Sequence, residues 1–190
     1  MSLQPSWQTV ALADVAPVPW RNGGGTTREL LAWPPGADWQ LRLSVAEVAQ
    51  AGPFSEFPGV LRWFAVLHGA GVRLQIQDHL HSLTPTSPPL AFDGAVPVHC
   101  APVAGPTLDF NLMVRGGTAR MQRLQGDWNG PVDAMTFIAI YAQGKRATAR
   151  FGSEITEIAP ETLAWCRTRE AGTFSLAGDD ALWMEVKLDH

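Results

Sequence analysis

Val66-Leu-His-Gly69-Ala-Gly71-Val-Arg-Leu74-Gln-Ile76-Gln-Asp-His-Leu80-His-Ser-Leu83-Thr-Pro85 is the stretch that decides the fold. Its apolar residues alternate with small or polar ones around Gly69 and Gly71, the pattern of short, half-buried strands joined by tight turns. The strand character extends from Phe64 to Phe92, and Ala139 to Trp165 repeats the layout. At a constant offset of 75 residues, Val66 falls on Tyr141, Gly69 on Gly144, Ile76 on Phe151, Leu80 on Ile155, Leu83 on Ile158 and Pro85 on Pro160. In each copy a strand reaches Gly, turns, returns as an alternating strand, turns at a polar pair and runs through a third strand into Pro. A gapless internal repeat of this kind predicts two related β units in one chain.

Outward from the repeat, Thr84–Pro106 reads as loop, because Pro85, Pro88, Pro89, Pro97, Pro102 and Pro106 remove backbone donors from any sheet. Leu108–Val114 reads as a strand within the crossover between the halves, with turns at Gly116-Gly117 and at Asp127-Trp-Asn-Gly130. One short helix is expected at Val45–Ala51. Ser44 and Glu47 make a capping box there, and Gly52 and Pro53 close it.

The 190 residues suffice for one ordinary domain or two small fused ones, and 46% of them are hydrophobic against 17% charged. With 18 Gly, 15 Pro and eight Trp, the composition suits strands and turns rather than a helical bundle. A net charge of −4 and the lack of any Lys/Arg run argue against nucleic acid and against anionic membranes as partners. Two cysteines, Cys100 and Cys166, are too few for a disulfide scaffold and lack metal spacing, which fits a reducing compartment. Neither a leader pattern nor a long apolar span is visible, so the expected location is the cytoplasm.

Three segments carry a specific likeness: Val18-Pro-Trp-Arg-Asn-Gly-Gly-Gly-Thr-Thr-Arg-Glu29, Gly52-Pro-Phe-Ser-Glu-Phe-Pro-Gly-Val-Leu-Arg62 and Gly105-Pro-Thr-Leu-Asp-Phe-Asn-Leu-Met-Val-Arg115. In order and spacing they resemble the HutD/Ves family across most of the chain. The resemblance implies a double cupin β-barrel, which also accounts for the repeat. It further implies an association, in some members, with histidine-utilisation operons, where the protein senses or moderates rather than performing an obligatory step.

Metal-binding cupins carry an H-x-H motif followed by a Glu and then a Gly seven positions beyond it. Gly69 fits that Gly, yet seven positions before it stands Arg62, and the H-x-H window over Ser55–Pro58 holds no His. In the second copy the corresponding residue is Phe137. A guanidinium is permanently protonated and ligates no cation. His79-Leu-His81 falls downstream at a hairpin, where a structural or surface role is expected, and His68, His99 and His190 are isolated. There is no nucleophile elbow. Adjacent His99 and Cys100 would point to opposite strand faces, leaving Cys100 as a buried thiol. The run Gly23-Gly24-Gly25-Thr26-Thr27 lacks the Lys and the strand-to-helix context of a phosphate loop, and reads instead as backbone passing close to a neighbour.

In Trp39-Gln-Leu-Arg-Leu-Ser44, one face carries Trp39, Leu41 and Leu43 and the other Gln40, Arg42 and Ser44. Phe110, Leu112 and Val114 likewise oppose Asp109, Asn111, Met113 and Arg115. With the polar faces lining a barrel, Trp20, Asn22, Arg28, Arg42, Arg62, Asp109, Asn111 and Arg115 are the candidate ligand-binding residues. Arg offers a fork to a carboxylate, Asn a donor and an acceptor, and Trp a flat apolar wall. The competing role for these groups is a structural ion pair, Asp109 with Arg42 or Arg115 above all.

The expectation is thus an all-β double cupin with few short helices, its first barrel in residues 1–108 and its second, tightly fused, in 109–190. The expected function is cofactor-free and metal-free binding of a small carboxylate metabolite of the urocanate, formiminoglutamate or formylglutamate class, in sensing or moderating histidine utilisation. The alternative is an isomerase or hydrolase with Asp109 or Glu56 as base. Exposed edge strands make a homodimer reasonable.

Overall fold

The structure is a computed structural model that describes residues 6–189; His190 lies outside them. Strand β1 (Gln8–Ala11) and a 3-10 turn (Leu12–Asp14) come first. There follow β2 (Val18–Pro19), β3 (Gly25–Trp33), β4 (Leu41–Val48), β5 (Gly52–Pro53), β6 (Val60–His68), β7 (Val72–Ile76), β8 (His79–Leu83), β9 (Leu90–Asp93), β10 (Val98–Pro102) and β11 (Thr107–Arg115). The rest of the chain supplies β12 (Gly117–Gln125), β13 (Trp128–Val132), β14 (Phe137–Ala142), β15 (Ala147–Phe151), β16 (Glu154–Ile158), β17 (Thr162–Arg167) and β18 (Gly172–Leu188).

Val15–Gly116 form one compact unit, and the described residues up to Asp14 join those from Gly117 onward in the other. The division therefore falls at Gly116 rather than between 108 and 109, a boundary that would cut β11 after its second residue. β1 belongs with the later unit because it pairs with β17, Gln8 opposite Trp165 through Ala11 opposite Thr162.

In the Val15–Gly116 barrel, the antiparallel sheets β2-β3-β4-β11-β6-β9 and β5-β10-β7-β8 face each other. Val48, Phe64, Val66 and Phe92 from the first pack on Val72, Leu74, Leu83, Val98 and Cys100 from the second. Each such side chain, fully buried, contributes about 1.5–3 kcal/mol, which makes this seam the main support of the barrel. In the other barrel β18 takes the place of both β10 and β11. Its first half pairs with β13 and β15 and its second with β12 and β14.

The repeat is present to the residue in the hairpins. Val72 pairs with Leu83 and Ile76 with His79, while Ala147 pairs with Ile158 and Phe151 with Glu154. Upstream the correspondence slips by one. Phe64 and Val66 join the core of the first barrel, whereas Ile138, Ile140 and Ala142 join that of the second. Val66 therefore matches Ala142, not Tyr141. A bulge in β6, where Leu108 opposes His68 and Asp109 opposes Val66, supplies the extra residue.

Three local expectations are corrected. Val45–Ala51 is not a helix: β4 runs through Val48 between β3 and β11, with Ala46 opposite both Thr27 and Asp109, and two ladders of backbone bonds outweigh a capping box. Thr84–Pro106 contains two strands, β9 and β10, because its prolines fall in turns or at strand ends. Trp128-Asn-Gly130 lies within β13 rather than in a turn. Among the described residues no helix is long and apolar enough to cross a membrane.

Candidate functional site

Register alone assembles the site. Because directly opposed residues share a face, successive rungs run across the larger sheet of the Val15–Gly116 barrel. One rung is Thr27–Ala46–Asp109–Val66, the next Glu29–Ser44–Asn111–Phe64, and the third Arg42–Met113–Arg62–Phe92. Thr27 and Ala46 of the first rung, the whole of the second, and Arg42, Met113 and Arg62 of the third floor a cavity of about 790 Å³. One wall is the β2–β3 turn, which brings Trp20, Arg21 and Asn22; the other is the segment after β5, with Phe54, Ser55 and Phe57.

The triple glycine shapes the first wall. A Cβ on Gly25 would lie 2.1 Å from the Glu47 carbonyl oxygen and 3.1 Å from the Trp20 ring, so only glycine lets β3 leave the turn against β4. The Gly24 N–H donates to Asn22 Oδ1 at 3.0 Å, and Trp20 Nε1 donates to Thr27 Oγ1 at 2.7 Å. Both side chains line the cavity while these bonds hold the turn.

Arg62 lies at the heart of the site, 6% exposed. It donates to Asn111 Oδ1 at 3.1 Å and to the Ser55 carbonyl at 3.3 Å, and its Nε has no partner. Phe54, Phe57 and Phe92 surround the guanidinium, their ring centroids 5.1, 5.6 and 5.2 Å from Cζ. No carboxylate among the described residues forms an ion pair with it. Burial first, and the charge of Arg42 second, bring its pKa down to about 10. The cation therefore stays charged at neutral pH with only partial compensation from ring faces and two neutral acceptors.

Arg42 is spoken for. Its Nε donates to Glu29 Oε2 at 2.7 Å, and its guanidinium lies 5.9 Å from the centroid of the Trp39 ring. The expected pairing of Asp109 with Arg42 or Arg115 is therefore not formed. Arg115 lies over Trp39 instead, at 5.0 Å. Asp109 is fully buried on the first rung, opposite Ala46 but outside the lining, where Thr107 Oγ1 donates to Oδ2 at 2.7 Å and Oδ1 has no partner. Burial lifts its carboxyl to about 7 against the opposing pull of the Thr107 bond. Arg28 also lies outside the lining and donates to the Val15 carbonyl at 2.9 Å. Glu56 is exposed and likewise not part of it. Of the residues singled out from sequence, the cavity thus gathers Trp20, Asn22, Arg42, Arg62 and Asn111, and leaves Arg28, Asp109 and Arg115 aside.

Sequence reasoning missed Glu29, Ser44 and the three phenylalanines. Ser44 carried a usable signal, since it stands on the polar face of an alternating strand; Glu29 lies in the run 26–29, polar on both faces, and carried none. The phenylalanines gather from two separate segments, the one after β5 and β9, and carried none. Cys100 and Cys166 are buried free thiols, each pushed up to about 12 by burial, with the Asp109 charge adding to the effect at Cys100. Among the described residues no group of three or more His, Cys, Asp or Glu could hold a metal ion.

The second barrel repeats the rungs with different chemistry. Ser44–Asn111–Phe64 becomes Gln122–Trp183–Ile140, and Arg42–Met113–Arg62 becomes Arg120–Glu185–Ile138. Trp183 is fully buried, with Trp128 4.6 Å away centroid to centroid. An indole thus fills the interior where the first barrel has the small Asn111, and Ile138 stands where it has Arg62.

Two related β-barrels in one chain, one of them hollow with a cationic, aromatic-walled pocket, define a protein of the double-cupin class. The fold is shared with a cupin 2 conserved barrel domain protein from Leptotrichia buccalis, at a TM-score of 0.59 and 6% identity over 99% of each chain. The chain belongs to the HutD family, whose model matches residues 12–184. It is 31% identical over 162 residues to an uncharacterized 21.2 kDa protein in the hutC 3' region of Pseudomonas putida, covering 80% of this chain and 82% of that protein. It is 37% identical over 98 residues to the protein Ves of Escherichia fergusonii, which is half of this chain and 51% of that protein's length. HutD from Pseudomonas fluorescens SBW25 superposes with a TM-score of 0.84 at 25% identity, over 97% of this chain and all of that one.

Proposed function

We propose that the protein binds a small carboxylate metabolite in the cavity of its Val15–Gly116 barrel, without metal, and through that binding senses or moderates histidine utilisation. The observation that carries this reading is Arg62: a buried guanidinium in a cavity with no carboxylate to neutralise it. A ligand carboxylate supplies the missing charge, taking a fork of charge-assisted bonds while the phenylalanine rings exclude water. Asn111, already on Arg62, orients the fork, and Trp20 with Phe54 and Phe57 suits a flat ligand body. The family and the hutC-region relative favour metabolites of histidine degradation, with urocanate, formiminoglutamate and formylglutamate as candidates. HutD from Pseudomonas fluorescens has a structure in a formate condition, and formate is the simplest carboxylate. An enzyme using Asp109 or Glu56 as base gains nothing from the placement of those residues, neither of which lines the cavity.

The test is to follow melting temperature and, by mass spectrometry, turnover of each candidate metabolite, with wild type and Arg62→Met. One candidate is expected to raise the melting temperature of wild type unchanged, and Arg62→Met is expected to weaken its binding about 10- to 150-fold, the worth of a charge-assisted contact. Undiminished ligand stabilisation in Arg62→Met overturns the role given to Arg62, and turnover overturns the binding-only reading.

A further inference from the structure

The lining holds four charged side chains: Arg21, Glu29, Arg42 and Arg62. They are not equivalent. Arg21 is exposed on the β2–β3 turn, where solvent screens it. Arg42, its side chain 22% exposed, is held by Glu29, 47% exposed, through the 2.7 Å contact. Only Arg62 is both buried and unneutralised.

The Arg42 and Arg62 positions share a rung, separated by Met113 on the strand between them. Strands two apart in a sheet lie about 9.5 Å from each other, a span that two guanidinium groups and a short dicarboxylate between them can fill. Without Glu29 the rung would therefore be a two-point clamp for a dianion. Glu29 takes only Nε and neutralises the guanidinium, so a second ligand carboxylate must either displace Glu29 or reach the Nη groups with another carboxylate beside it and no net positive charge to meet. Both options penalise a dianion, which also loses more hydration in the pocket than a monoanion does.

We propose, on the reading that the cavity binds carboxylates through Arg62, that Glu29 sets its charge specificity: by occupying Arg42 it makes the pocket select ligands with one carboxylate over dicarboxylates. The ligand class is then a flat, largely apolar body with a single carboxylate seated on Arg62. Any polar group at its far end meets the Ser44 hydroxyl, which donates or accepts, and the Glu29 carboxylate, which only accepts, so an N–H or O–H donor suits that end better than a second anion.

Crotonate and fumarate test this, since they share a planar four-carbon skeleton and carry one and two carboxylates. Affinities are measured by calorimetric titration of the full chain for wild type, Glu29→Gln, Glu29→Gln/Arg42→Met and Arg62→Met. Wild type is expected to prefer crotonate. Glu29→Gln frees Arg42 and is expected to raise the fumarate-to-crotonate affinity ratio about tenfold, the lower end for a charge-assisted contact because the site is partly solvated. The double variant is expected to lose that gain. A wild-type preference for fumarate, an equal shift for both ligands in Glu29→Gln, or a gain that survives removal of Arg42 overturns the role of Glu29 while leaving carboxylate binding intact. Failure of wild type to bind either probe, or binding indifferent to Arg62→Met, overturns the pocket reading and this inference with it.

Discussion

Asp109 should make the protein less stable as pH rises, the reverse of ordinary acid denaturation. Its carboxyl is fully buried, accepts one hydrogen bond from Thr107, and is raised from 3.8 to about 7. Between those values the folded chain holds a proton that the unfolded chain has released. Stability therefore starts to fall above about pH 4, falls by about 1.4 kcal/mol per pH unit, and levels off above about pH 7. The whole excursion is about 4 kcal/mol, of which about 3 kcal/mol lies between pH 5 and pH 8. Asp109→Asn keeps the shape and an acceptor for Thr107 but cannot ionise. Urea unfolding of both proteins across that range isolates the effect, because every other titrating group cancels in the difference. The variant should gain about 3 kcal/mol on wild type from pH 5 to pH 8. A difference that stays constant with pH would show that Asp109 is already ionised in the folded chain across that range, and would refute the reasoning.

Arg62→Met should raise the stability of the ligand-free protein by about 1–3 kcal/mol, because burial of Arg62 depresses its pKa with no acidic partner to be stranded by its removal; a loss of 3 kcal/mol or more in urea unfolding would reveal an ion pair. Such a gain, set against weakened binding, is the trade expected of a functional residue. Trp183→Ala should cost about 3–5 kcal/mol in the same assay, since Trp183 fills the interior of the second barrel beside Trp128; a cost below 1 kcal/mol would mean that its position is not tightly packed.

By itself the sequence determined the class of fold and much of the cavity, because both rest on periodicity. Alternation at Val72, Leu74 and Ile76, repeated at Ala147, Ala149 and Phe151 in the later hairpin, specifies paired strands wherever they end up. The same period of two, read at Arg42 and Ser44 and at Asn111 and Met113, placed those side chains on one face, and the register of β4 with β11 then made them neighbours. Local signals misled where neighbouring strands overrode them. Ser44 and Glu47 spell a helix start, yet Ala46 is claimed from both sides by β3 and β11. The prolines of Thr84–Pro106 spell a loop, yet they fall in turns or at the end of a strand rather than in a strand's interior. The tertiary structure alone decided which charges meet. Glu29 and Arg42 are 13 residues apart, Arg62 and Asn111 are 49 apart, and Phe54 and Phe57 reach Arg62 from the segment after β5 while Phe92 reaches it from β9. An ion pair depends on a few ångströms of separation that no pattern along the chain encodes. That is why Arg42, Arg62 and Asp109 looked alike as candidates and proved to be, respectively, paired, unneutralised and buried outside the lining.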